Sequence, residues 1–396
     1  MAKALDVLYR GSVKDLLGPV RVADHDGRAQ DAVFFQYTDA FSVFDWGRMP
    51  DALPRKGEAL AVMAAHFFEQ LAHPETWKEF SKTPQALALR KANRFGSNFN
   101  EWGERLQREG TRTHFLGVVS QEEVCGLKEA RNPVSRIAVR QVSAVKPVVR
   151  TVMGRQVPDY TATRASKLPR LVPLEVVFRF AAPQGSSLYE RVERDPGYLT
   201  QLGYGNVKLT PEARFDFPIL ELFTKLESSD RPVSLIEGLA LSGLTAEQLE
   251  ALLMQTAWIA GYLRSVMAKR GLELADGKLE WAIDADGQVV LVDAIGPDEL
   301  RILREGKQLS KEFLRTHYRN TDWYGQVKQA KEAAQAAGIA EWKKGVSVAP
   351  PALPAELKEL GAQVYWVLAN ELTGRTWFPE AWSIDKLVDR LGKVIS

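Results

Sequence analysis

Residues 274–301 read LADGKLEWAIDADGQVVLVDAIGPDELR. Two runs inside this stretch, KLEWAID and QVVLVDA, alternate with a period of two, the spacing of strands with one face in a core. Asp286-Gly287 between them is a tight-turn signal. The stretch therefore predicts an antiparallel hairpin. A two-residue loop sets Glu280 opposite Asp293; a four-residue loop shifts the register by two and keeps both on the same face. Lys278 shares that face, and Asp276 precedes it. Leu279, Trp281 and Ile283 point the other way, into a core. Two facing carboxylates repel unless a cation lies between them. Acidic oxygens converging on a hairpin suit Mg2+ shared with nucleotide phosphates. Taken alone, the same pattern also describes a solvated polar face on an antiparallel sheet.

Working outward, 396 residues are too many for one small core and fit two or three structural units. Hydrophobic content of 45% and charged content of 26% are those of a soluble globular protein. A net charge of +2 gives no reason to expect a nucleic-acid polymer as partner, so any basic site is local. The single cysteine, Cys125, excludes an internal disulfide and fits a reducing, cytoplasmic setting. The five histidines show no zinc-like spacing. No signal peptide opens the chain, no apolar run approaches the ~20 residues of a membrane span, and no solenoid repeat is visible.

Periodicity predicts a helix over about 58–72 and a helical insertion with loops over 74–111. One or two strands follow at 134–152, then an exposed basic insertion at 153–170. The clearest amphipathic helix spans 245–270, with Thr245 as N-cap, Gln248 at the capping-box position and Gly271 as the stop. Another runs through 323–337. Residues 346–355 read as an extended proline-rich connection, and a final helix at 355–373 ends at Gly374. His114 reads as a packed or hydrogen-bonded histidine, and Cys125 as structural.

DGKLEWA followed by LVDAIGPDELRIL resembles the DxKxEFG and DExxxPDxxR segments of SAICAR synthetase, the phosphoribosylaminoimidazole-succinocarboxamide synthase family. Further segments resemble family motifs in the same order. GSVK lacks a Walker A pattern but is similar to GKxKxxY, keeping Lys14 and replacing the first lysine by Ser12. TDAFSVFD and LPRKG resemble DxxSAxD and IPxKG, at Asp39, Ser42, Asp45, Lys56 and Gly57. VPLEVVFRFAAPQGSSLYERV resembles VPVExxVRxxAxGSLxKR, at Glu175, Arg179, Gly185, Ser186 and Ser187. Pro183-Gln184 reshapes its glycine loop, and Glu190 stands where the family has lysine. FPILELFTKLESSDRPVS resembles PPxxExxxKxxxHDxxxS, with Lys225 and Asp230 kept and Ser229 replacing histidine. LSKEFLRTHYRN supplies Lys311 and Arg315, and LTGRTW matches the ending of the longer members. The resemblance runs from about 8 to 378, with gaps at 74–110 and 150–170.

The resemblance implies an α+β fold with antiparallel sheets and an ATP cleft between domains. An N-terminal ATP-lid sheet domain would span 1–150, a substrate- and metal-binding domain 151–320, and a helical extension 321–396. It implies an ATP-dependent ligase that joins a carboxyaminoimidazole ribonucleotide to L-aspartate through an acyl phosphate. In that reading Lys14 and Lys225 neutralise ATP phosphates, and Glu280 and Asp293 hold Mg2+. Asp276 and Lys278 face the aminoimidazole. Arg179, Ser186, Ser187, Arg301 and Arg315 hold the ribose 5-phosphate, with Asp230 a further metal or substrate ligand. The partners implied are small molecules, with no membrane, in a monomer or small homo-oligomer. Ser12, Glu190, Ser229 and Ala294 depart from the family, the last removing the Glu that follows the metal-binding Asp. They leave two other readings open: a divergent ligase using a different amine, and a non-catalytic nucleotide-binding homologue.

Overall fold

The computed structural model describes residues 5–23, 27–205, 207–337 and 341–395. Two antiparallel sheets carry the architecture. The first has six strands: β1 (Val7–Arg10), β2 (Lys14–Ala23), β3 (Ala29–Tyr37), β4 (Phe115–Ser120), β5 (Glu123–Cys125) and β6 (Arg136–Arg140), in the order β1-β2-β3-β6-β4-β5. A separate two-stranded arm joins β7 (Val148–Val152), the end of the expected strand segment, to β8 (Arg155–Asp159), at the start of the expected basic insertion, and every residue of β7 is exposed. The second sheet is built from β9 (Arg170–Ala181), β10 (Arg214–Thr224), β11 (Pro232–Val233), β12 (Glu273–Ile283), β13 (Val289–Val292), β14 (Leu300–Arg304) and β15 (Lys307–Gln308). Its order is β11-β10-β9-β12-β14-β15, with β13 also on β12.

The expected helices form, with sharper limits. α1 (Lys56–Ala72) starts at Lys56, so Lys56 and Gly57 lie in its first turn. α2 (Pro74–Phe80), α3 (Pro84–Lys91) and α4 (Asn98–Glu109) fill the 74–111 insertion. α5 (Thr161–Arg164), α6 (Leu188–Arg194), α7 (Tyr198–Gln201) and α8 (Leu235–Ser242) are short. α9 (Ala246–Ala268) carries both halves of the Thr245–Gln248 capping box. α10 (Glu312–Arg319), α11 (Asp322–Ala337), α12 (Ala355–Thr373) and α13 (Ile384–Ile395) complete the chain.

The second sheet has two chemically different faces. Val176, Phe178, Leu279, Trp281 and Ile283 are buried in the main core, which also takes in much of α9. Gly277 belongs to this packing: a Cβ there would lie 2.5 Å from the Phe178 ring. The opposite face carries Glu175, Arg179, Asp276, Lys278 and Glu280, because adjacent residues on a strand point to opposite sides. The same core extends through α1 and α12, so the C-terminal helices share it with both sheets.

The hairpin forms, but its register differs from both expected ones. Glu280 pairs with Val292, not Asp293. Asp284 is the cause. Its carboxylate accepts from the N–H groups of Asp286 (3.0 Å) and Gln288 (2.8 Å), and Gly287 takes a left-handed φ of 76°. That closes a three-residue loop and moves the register by one. A one-residue slip should turn Asp293 to the core face. Asp293 escapes this because it is itself left-handed, with φ 74°.

Candidate active site

β12 is paired unevenly along one edge. β14 covers residues 273–277 and β13 covers 280–283. Between them the chain leaves the ladder at Asp293 and returns at Leu300, beside Lys278 and Leu279. Lys278 N–H closes the gap by donating to Glu299 C=O at 3.0 Å. This detour brings Asp293 and Glu299 beside Lys278.

A lysine–carboxylate cluster results. Lys278 Nζ lies 2.8 Å from both Glu175 and Glu280, and Lys225 Nζ lies 2.7 Å from Glu175 and 2.6 Å from Glu280. Lys14 arrives from the first sheet, pairs with Asp293 and stands 4.6 Å from the centre of the Phe35 ring. Three lysines thus meet three carboxylates, and the Lys14–Asp293 pair joins the first sheet to the second. Burial alone would lower Lys278, but Glu280 and Glu175 outweigh it and hold the amine well above its ordinary range. Burial and Asp293 push Glu280 up, yet Lys278, Lys225 and Lys14 bring it below the usual value. Asp293 is likewise held low, burial being overcome by Lys14, Lys225 and Lys278. All three groups are therefore charged at neutral pH.

His114 supports this arrangement from behind. The residue is 2% exposed, and its ring packs edge-on against Phe35 and Phe68. Its backbone N–H donates to Leu291 C=O at 3.0 Å, tying the first sheet to the hairpin. Burial, then Lys14 and Arg140, push its pKa down to about 3, so it is neutral.

An arginine–carboxylate cluster adjoins on the same face. Arg179 Nε donates to Glu221 at 2.5 Å and its Nη1 to Asp276 at 3.0 Å. Arg301 lies 3.4 Å from Asp276. Arg191 Nε donates to Glu221 at 2.9 Å, and its Nη1 to Ser187 at 3.2 Å. Ser186 is buried, and its hydroxyl accepts from Leu188 N–H at 3.4 Å. Glu190 and Ser229, two of the departures from the family pattern, are exposed. Asp230 is exposed too, yet desolvation and then Glu175 raise its pKa to about 7.

Arg315 belongs to a third group. It bonds Glu312 at 3.0 Å, and its charge is felt by Lys311 and Tyr365. There Asp298 accepts from Lys56 (2.8 Å) and from Tyr365 (2.6 Å). The structure therefore groups Arg301 with Arg179, and Arg315 with Lys311 and Asp298. Sequence reasoning assigned no role to Glu175, Glu221, Asp298 or Glu299. For Glu175 the signal was present, because PLEVVFRF places it and Arg179 on the polar side of a period-2 strand. Glu221 falls on the Glu of the PPxxExxxK motif, so the family resemblance marks it, whereas for Glu299 no local pattern marks the residue.

Among the described residues, no three His, Cys, Asp or Glu side chains are arranged to hold a metal by themselves. Glu280 and Asp293 nevertheless fit Mg2+, which needs only one or two carboxylates when phosphate and water supply its other oxygens. No helix among the described residues is long and apolar enough to cross a membrane.

Known proteins resemble this chain along nearly all of its length. A solved SAICAR synthase superposes with a TM-score of 0.55 at 17% identity, covering 95% of this chain and 97% of its own. At that identity the likeness is one of fold, an α+β architecture of two antiparallel sheets. The family model for SAICAR synthetase matches residues 8–331. A protein of Archaeoglobus fulgidus, provisionally named phosphoribosylaminoimidazole-succinocarboxamide synthase, is 33% identical over 386 residues, or 97% of this chain and 99% of its own. The phosphoribosylaminoimidazole-succinocarboxamide synthase of Thermoplasma volcanium is 24% identical over 381 residues, covering 94% and 100%. The molecule is an ATP-dependent ligase of the purine-biosynthetic type. It belongs to the SAICAR synthetase family.

Proposed function

We propose that the chain joins a carboxyaminoimidazole ribonucleotide to L-aspartate at the expense of ATP, through an acyl phosphate. The observation that supports this most is the adjacency of the two charge clusters. Lys278 in one and Asp276 in the other are two residues apart on β12, roughly 7 Å along the strand. A phosphoryl group held by the lysines then lies next to a phosphoribosyl substrate held by the arginines.

In this reading Lys14 and Lys225 bind the ATP phosphates. Mg2+ on Glu280 and Asp293 supplies charge neutralisation when bound. The need for it follows from charge: three lysines already matched by three carboxylates offer little surplus to an incoming polyphosphate. Asp276 and Lys278 face the carboxylate and amine of the aminoimidazole. Arg179, Arg301 and Ser187 surround its 5-phosphate, with Ser186 shaping the loop, while Arg315 and Asp230 flank the cleft. The substrate carboxylate oxygen attacks the γ-phosphorus and the bond to ADP breaks. The amine of aspartate then attacks the acyl carbon and phosphate leaves. Such chemistry asks for positioning and charge neutralisation, not for a protein nucleophile. The setting is cytoplasmic, in a monomer or small homo-oligomer.

Aspartate is favoured because Arg191, not Glu190, turns toward the cluster. A cation is therefore retained where the family lysine is absent. A phosphate-release assay over a panel of amines tests the reading. ADP and phosphate should form only with ATP, the carboxyaminoimidazole ribonucleotide and aspartate together. Turnover with a different amine, but none with aspartate at tens of millimolar, would replace it by the divergent-ligase reading. No ATP turnover with any amine would favour the non-catalytic homologue.

A further inference from the structure

We infer that Glu221 is a positioning residue that aims the arginines of the phosphate-binding cluster; this deepens the functional reading above and rests on it. Glu221 stands on β10 opposite Val177 of β9, so it projects from the polar face of the second sheet. It is 1% exposed. A buried carboxylate is costly unless its oxygens are fully engaged. Here they are: Oε2 accepts from Arg179 Nε at 2.5 Å, and Oε1 accepts from Arg191 Nε at 2.9 Å and from the Tyr198 hydroxyl at 2.8 Å.

The consequence lies in where the guanidinium edges then point. Arg179 comes from β9 and Arg191 from α6, and both meet the same carboxylate. Each guanidinium is a rigid planar fork, so fixing one edge fixes the direction of the rest. Arg179 Nη1 is thereby set toward Asp276, and Arg191 Nη1 toward Ser187. Arg191 Nη2 lies 2.8 Å from Glu221 Oε1, yet it is buried without an aligned acceptor. A buried donor left in that state is completed by a ligand or by water.

Charge agrees with this assignment. Arg179, Arg191 and Arg301 contribute three positive charges against those of Glu221 and Asp276, leaving one in excess for an anion. Without Glu221, two guanidiniums would approach each other unscreened and swing apart. A carboxylate at the edge of an anion site gives up some attraction, and in exchange the donors are already aimed before the ligand arrives. Burial would push Glu221 up, but Arg179 and Arg191 hold it below the ordinary carboxylate range, so it stays ionised.

The test uses the full chain with Glu221→Gln and Glu221→Asp. The aspartate variant keeps the charge and retracts the oxygens by one methylene, so it serves if loss of the charge prevents folding. Calorimetric titration with the carboxyaminoimidazole ribonucleotide and with ATP is run beside thermal melting. Glu221→Gln should weaken the ribonucleotide about 10- to 100-fold, and Glu221→Asp about 5- to 20-fold. ATP affinity should stay within about twofold of wild type, since the lysine cluster is not touched. Unchanged ribonucleotide binding in a folded variant overturns the positioning role. Equal weakening of both ligands overturns it too, by making Glu221 merely structural. Wild-type protein that binds ATP but no phosphoribosyl ligand overturns the functional reading itself, and this inference with it.

Discussion

The two charge clusters share one sheet face yet are built in different ways. The lysine cluster is assembled across the cleft: Lys14 comes from the first sheet, Lys225 from the end of β10, and Asp293 from the detour between β13 and β14. The arginine cluster is assembled almost wholly on the second sheet and the adjoining α6. Lysine is a compact charge on a flexible stem, whereas arginine is a fixed fork. In the proposed reading the first cluster would exchange its internal ion pairs for a polyphosphate and a metal. The second would, in the same reading, present a set geometry to one phosphate. A charge-balanced lysine cluster thus adjoins an arginine cluster with one positive charge in excess.

That contrast is open to attack, most forcefully at the carboxylates of the lysine cluster. Glu280→Gln or Asp293→Asn should lower turnover by at least ~10²-fold, because each removes a ligand of the proposed Mg2+ that would offset phosphate charge in the transition state. The fold should survive, since both side chains leave the core face; steady-state rates at saturating Mg2+ and a melting curve decide. Near wild-type activity in both variants would remove the hairpin from the site.

Arg301→Ala addresses the other cluster. It should weaken the phosphoribosyl substrate about 10- to 150-fold, the worth of one charge-assisted contact, and leave ATP nearly unchanged. Comparable losses for both ligands would mean that the clusters do not divide the work.

A smaller effect sharpens the contrast through pH. Burial, then Asp298 and Asp293, raise Glu299 from 4.5 to about 7. The folded chain then holds a proton that the unfolded chain has lost between those two values. Stability should fall as pH rises through this window. Glu299→Gln should consequently raise the melting temperature by a few degrees at pH 8 and by less at pH 5. A pH-independent difference between variant and wild type would show that Glu299 is not the titrating group.

The smallest effect is expected at Glu190. A carboxylate in place of the family lysine suggests that Glu190→Lys should lower the KM for aspartate. The side chain is exposed, however, and Arg191 occupies the inward position. The KM for aspartate should thus change by less than about twofold, and a tenfold drop would place Glu190 in the amine pocket.

How much of the site the residues themselves revealed varies by element. Lys278 and Glu280 were legible because strand alternation assigns them a face wherever Leu279, Trp281 and Ile283 must be buried. Asp293 was also placed with them, though for an incomplete reason. Its register is off by one, and only its left-handed backbone brings it back. Asp284 causes the shift through two side-chain bonds to the loop, a choice that Asp-Gly alone does not specify.

Alternation, turn residues and helix caps are local, so the chain by itself determined the two faces of β12 and the capped helix α9, while the α+β class came with the family resemblance. Motif order added the family. Which charges meet was a different matter. Glu221 and Arg191 are thirty residues apart, and Lys14 and Asp293 are separated by 279. Nothing in the local pattern of either member of a pair encodes its partner. Their pairing depends on how two sheets close on one cleft and on where β12 loses its neighbour. The energy of a buried charge depends on its final surroundings rather than on its own type. Only the tertiary structure could decide that Arg191 faces inward while Glu190 faces water.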